Sequence, residues 1–378
     1  MLAIDLTGAE VLHPQGLSHA PLSMAGGVIT ADPMGRAVDL TGYRVLPGII
    51  DVHGDGFERH MAPRRGAMKD TAQGLAAVEA ELAANGITTG VLAQFVSWEG
   101  GLRGLDFADK VFGALRDADV VTDLRPQLRF EISLTELYDT LPERVAAWGV
   151  EYVVFNDHLP HDRLAQGRKP PRLTGQALKA GRNPEAHFAM LLDLHANAVQ
   201  AQPLLGPLCD RLGAMGVRMG SHDDATAEGR AVWHARGAQV AEFPETHEAA
   251  EAAQAQGAGV VLGAPNLVRG GSHKGNVSAL DLVAMGLCDA LASDYHYPSP
   301  RRAALMLARS GLLDLAGAWA LVSSGPAAVL GLTDRGTLAP GLRADLVVLD
   351  DADRVAATIS GGRVSFMSGD VAERFVAA

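Results

Sequence analysis

Histidines and carboxylates recur along this 378-residue chain at positions where a metal ion could collect them. The first pair is His53 and Asp55, which close the largely apolar run 45–52. Residues two apart on an extended strand project to one side, so both can reach one ion, and Gly54 and Gly56 leave room for a cation and its water. His-x-Asp also arises by chance where loops begin, so the pair needs company. That company comes at the ends of later apolar runs, as Glu131, His158, His222 with Asp223 and Asp224, and Asp294. Imidazole nitrogens and carboxylate oxygens ligate zinc or a similar divalent cation, and two ions bridged by a carboxylate need about this many donors. Taken singly, Glu131 could be a solvated strand end, His158 a turn residue before Leu159-Pro160, and Asp294 a helix N-cap.

The elements that must position these groups follow from periodicity. Short apolar strands are expected over 48–53, 87–92, 128–132, 152–158, 217–222, 239–243, 259–263 and 290–294, separated by helical stretches. A crossover helix over 71–84 is apolar at Leu75, Val78 and Leu82 and stops at Asn85-Gly86. Eight strands in alternation with helices predict an α/β chain with a closed (β/α)8 TIM-type barrel, and such barrels carry their chemistry at the carboxyl ends of the strands. Residues 1–47 and 333–378 instead alternate short β-like pieces with glycine turns, so they are expected to form one small β-sandwich domain from both termini, with the barrel over 48–332. The stretch 160–184, rich in Pro, Gly, Lys and Arg, reads as an inserted lid or loop before a long helix over 185–201.

A formal net charge of -12 argues against nucleic acid or an anionic membrane as partner, because both require a basic surface. An anionic small substrate needs local help instead. The segment 263–277 after the seventh strand offers it, with Arg269, Ser272, His273, Lys274 and Asn276 among glycines that let backbone amides approach an anion. The overall acidity therefore does not exclude a phosphorylated small molecule as partner. Cys209 and Cys288, the only cysteines, have no zinc-finger spacing, which suits a reducing compartment, and no apolar stretch is long enough to cross a bilayer. The chain is expected to be cytoplasmic; the sequence leaves open whether copies assemble into a homo-oligomer.

The frame Leu46-Pro47-Gly48-x-x-Asp51-x-His53, the Ser293-Asp294 strand end and the tail Gly336 to Val347 resemble the amidohydrolase superfamily. More specific are His53-Gly54-Asp55, Asn156-Asp157-His158-x-Pro160, Ser221-His222-Asp223-Asp224, Ala241-Glu242-Phe243-Pro244, the glycine-rich 263–277 and Ser293-Asp294-Tyr295. Together these resemble the PhnM family, the α-D-ribose 1-methylphosphonate 5-triphosphate diphosphatases of phosphonate catabolism. The resemblance implies a metal-dependent hydrolase with one or two ions, zinc first and manganese or iron as alternatives, bound by His53, Asp55, Glu131, His158, His222 and Asp294. It implies attack of an activated water on the α-phosphorus with loss of pyrophosphate, Asp294 taking the proton. A C–N hydrolase of the same superfamily is the alternative. The segment after Pro160 departs from the family pattern, with His161-Asp162 in place of Gly-Gln and Arg168 to Arg172 in place of a Lys- and Tyr-rich stretch.

Overall fold

The computed structural model describes residues 1–62, 70–270 and 277–378. Eight parallel strands form one sheet in chain order, Ile49–Gly54, Ile87–Val96, Asp123–Glu131, Tyr152–Asn156, Arg218–His222, Val240–Glu242, Gly259–Gly263 and Ala290–Ala292. This is the (β/α)8 barrel expected from the alternation of strands and helices. The chain divides into two compact units, one of residues 1–92, 118–125 and 261–378, the other of 93–117 and 126–260.

The first unit contains two further sheets built from the two termini. One orders Val28–Thr30, Leu22–Ala25, Ile4–Thr7 and Ala37–Asp39; the other orders Arg363–Met367, Val355–Ser360, Leu346–Leu349, Arg44–Pro47, Glu10–His13 and Gly16–Ser18. Ile4, Leu6, Met24, Leu346, Val348 and Ile359 share one buried cluster, so the two ends of the sequence supply a single apolar core. The strand Arg44–Pro47 pairs antiparallel with Leu346–Leu349 and leads into the first barrel strand. The helix Thr71–Ala84 runs as expected, with Asp70 accepting from Ala72 N at its start and Gly86 at φ +83 beyond its end.

In the second unit the third to sixth strands stay in parallel register, with Arg129 beside Val154, Phe155 beside Ser221 and His222 beside Glu242. Phe130, Leu141, Val153, Leu191 and Leu208 belong to its core. The long helix spans Pro184–Ala214 rather than stopping near 201, because Leu205, Leu208 and Leu212 continue its buried face past Pro203 and Pro207. The stretch expected as a lid or loop folds into two short helices, His161–Ala165 and Leu173–Lys179, anchored by buried Leu164, Leu173 and Ala177. In the first unit, the expected loop after the seventh strand begins as a helix, Ala264–Arg269, which Gly270 closes at φ +78.

Candidate functional site

In the first unit the carboxyl ends of the first and eighth strands are stitched together by backbone. Asp294 N donates to His53 O at 3.0 Å, and Asp55 N donates to Asp294 O at 2.8 Å. Beneath them Asp51, fully buried, accepts from Ser293 N at 2.8 Å and Ser293 Oγ at 2.5 Å. Burial pushes the Asp51 carboxyl above its ordinary range, although both Ser293 bonds pull it down. Gly54 is required here: a Cβ would stand 2.7 Å from Asp51 Oδ2 and 2.8 Å from Tyr297 Cε1. His53 is fully buried and Asp294 half-buried at φ +55, a left-handed backbone that a non-glycine residue adopts only when its surroundings impose it. Asp294 does not cap the next helix, whose N-cap position is Pro298.

In the second unit side chains do the corresponding work. Glu131, fully buried, lies 2.5 Å through Oε1 from His158 Nδ1 and accepts from His158 N through Oε2 at 3.1 Å. That second bond explains why the fourth strand ends at Asn156, two residues before His158: the His158 amide turns to a carboxylate instead of the ladder. His222 ends the fifth strand with Nε2 2.8 Å from Arg129 Nη2 and Nδ1 3.2 Å from Asp223 Oδ1. Burial, then Arg129, pushes its pKa down to about 4, so the ring is neutral at ordinary pH. A cavity of about 460 Å³ opens beside His222 and Asp223, walled by Phe155, Asp157, Thr226, Trp233 and Arg236.

The donor chemistry fits a divalent cation. His158, His222 and Asp223 each offer a ligand atom, all within 4.8 Å of one another. With Nδ1–H given to Glu131, His158 keeps its Nε2 lone pair for a metal, the usual arrangement of a ligating imidazole backed by a carboxylate. Glu131 thus stands as the acceptor that orients His158. Arg269, which the sequence assigns to phosphate, is exposed, donates to Asn266 Oδ1 at 3.0 Å and lies 5.7 Å over the Tyr295 ring. Ser272, His273, Lys274 and Asn276 lie outside the described residues.

Three buried residues carry no role in the sequence reading, although Asn156 and Glu242 stand inside its motifs. Arg129 shares its strand face with Gln127 and Glu131, and that alternation of polar side chains in an apolar strand was the available signal. Asn156 receives the Arg129 guanidinium. Glu242 ends the sixth strand fully buried, its Oε1 accepting from Gln127 Nε2 at 2.6 Å and Tyr152 OH at 2.7 Å. Its place at a strand end was visible, but its role depends on partners far away in sequence. Asp223 and Phe243, following His222 and Glu242, also adopt positive φ, at +59 and +55.

An amidohydrolase family model matches residues 274–366. Over 330 residues the chain is 34% identical to the alpha-D-ribose 1-methylphosphonate 5-triphosphate diphosphatase of Escherichia coli (strain K12), an alignment covering 84% of this chain and 86% of that one. A crystal structure of an amidohydrolase superposes with a TM-score of 0.64 at 14% identity, covering 98% of this chain and 100% of that one. N-acetylglucosamine-6-phosphate deacetylase from Pasteurella multocida gives 0.64 at 11% identity, covering 96% and 99%. At such identities the two structures speak for the fold alone, whereas the E. coli relative speaks for the family. The chain belongs to the amidohydrolase superfamily, in the family of the E. coli diphosphatase that it resembles.

Proposed function

We propose that this hydrolase cleaves the α–β phosphoanhydride of α-D-ribose 1-methylphosphonate 5-triphosphate, giving the 5-phosphate and pyrophosphate. The observation that carries this reading is the 34% identity to the E. coli enzyme over 84% of the chain. The proposed ligands of a divalent cation, zinc first, are the residues the resemblance implies, His53, Asp55, Glu131, His158, His222 and Asp294. When bound, such a cation supplies Lewis-acid activation of water at neutral pH. Asp294 orients the water and takes its proton, while the bond to the leaving pyrophosphate breaks. Arg269 binds the outer phosphates, where a guanidinium can meet two oxygens at once.

The test is incubation of the metal-loaded protein with the ribosyl methylphosphonate triphosphate and, separately, a panel of cyclic and exocyclic amides, with products identified by phosphorus NMR and ammonia release. Pyrophosphate and the 5-phosphate in equal amounts are expected. Turnover of an amide with the triphosphate untouched would transfer the assignment to C–N hydrolysis, and full activity after chelation would end the metal-dependent reading.

A further inference from the structure

Phe243 follows the end of the sixth strand at φ +55, a left-handed backbone that is an outlier for a bulky side chain. Pro244 comes next, and a residue before proline is pushed toward extended backbone, so the conformation is harder still to reach. Strain of this kind persists only where the surroundings impose it, and it gathers where a side chain must be aimed. Here the ring is aimed at His222. The two strand ends are tied together, His222 lying beside Glu242 in the ladder and Asp223 N donating to Glu242 O at 2.9 Å. From that anchored backbone the Phe243 ring meets the His222 imidazole edge to face, with centroids 5.1 Å apart and planes at 81°. The His158 ring crosses the same imidazole at 5.7 Å and 72°. Arg129 and Asp223 reach the two His222 nitrogens, and a cation bound at either nitrogen takes the place of that contact. A ring contact uses no nitrogen lone pair, so Phe243 holds the imidazole with or without an ion.

We propose that Phe243 is a positioning residue for the metal ligand His222: its left-handed backbone brings the ring onto the imidazole, and that contact fixes the plane in which His222 presents its nitrogens. The inference rests on the metal-dependent reading above but fails separately from it. Phe243→Leu keeps an apolar side chain on the strained backbone and removes the ring, whereas Phe243→Tyr keeps the ring. Zinc affinity measured by chelator competition should fall about 10-fold in the leucine variant and stay unchanged in the tyrosine variant. NMR of the His222 ring protons without metal should show one sharp set in the unaltered and tyrosine proteins and exchange broadening in the leucine variant. Phe243→Gly should resist denaturant better than Phe243→Ala, because alanine still carries the left-handed strain. A folded leucine variant with unaltered zinc affinity and sharp His222 signals, a tyrosine variant that fails like leucine, or an alanine variant as stable as glycine would overturn the proposal. No zinc bound by the unaltered protein would instead overturn the reading on which it rests, and the His222 signals would then decide the proposal by themselves. If Phe243→Leu does not fold, Phe243→Gly, whose backbone is unstrained, takes its place in both measurements.

Discussion

The strand ends of the two units carry similar residue types but are held in different ways. In the first unit His53, Asp55 and Asp294 are positioned through their main chain, by reciprocal amide–carbonyl bonds and by Asp51 clamping Ser293 from below. In the second, His158, His222 and Glu242 are positioned through their side chains, by Glu131, Arg129, Gln127 and Tyr152. A backbone clamp fixes where a group sits, whereas a side-chain partner also fixes its proton and charge. Substitutions of the backbone clamp, Asp51 and Ser293, should therefore act on geometry and stability, and those of the side-chain partners Glu131 and Arg129 on tautomer and metal affinity.

The largest effect is expected where the two units place an aspartate at positive φ. Asparagine tolerates that backbone, so Asp294→Asn and Asp223→Asn each remove a carboxylate and little else. If Asp294 takes the proton, its variant should lose about 100- to 10,000-fold in kcat. Asp223→Asn should lose only about 10- to 100-fold, the range in which an orienting contact acts. Equal losses in steady-state kinetics would erase the distinction.

Asp51→Ala strands the Ser293 amide and hydroxyl in a buried position, so denaturant unfolding should show a loss of about 2–4 kcal/mol. The counterpart in the second unit, Tyr152→Phe, removes one of two donors to Glu242 and should cost about 1 kcal/mol. A smaller loss for Asp51→Ala than for Tyr152→Phe would refute the backbone clamp.

Glu131→Gln keeps the shape beside His158 but weakens its hold on the Nδ1 proton. Zinc affinity measured by chelator competition should fall by about 10- to 100-fold while the unfolding midpoint barely moves. An unchanged affinity would mean that His158 is positioned by something other than Glu131.

The smallest effect separates two arginine–carboxylate clusters. In the first unit burial raises the Asp123 carboxyl, but Arg125 and Arg335 outweigh it and hold the pKa below the ordinary value. Stability gained this way is complete above about pH 4 and is lost as the pH falls toward the depressed folded value. In the second unit burial raises Asp224 against Ser221 and Arg230, so the folded state holds that proton more tightly and acid favours it. Asp123→Asn should flatten the acid limb of the stability profile, and Asp224→Asn should not.

The sequence by itself determined the strand count, the helix Thr71–Ala84 and the identity of the strand-end groups, because hydrophobic period and helix stops are local properties of the chain. It also placed both termini in sheets, although the strand Val355–Ser360 and the helix Asp370–Ala377 were not recognised. Only the tertiary structure decided what each polar group faces. Glu131 was legible as an acid at a strand end, but that it holds His158 depends on a pairing across 27 residues. Arg129 and His222 are 93 residues apart, and their contact, which sets the tautomer of the histidine, exists only once the third and fifth strands are in register. Short-range pattern specifies elements, whereas protonation state and ligand capacity are properties of the neighbours that folding supplies.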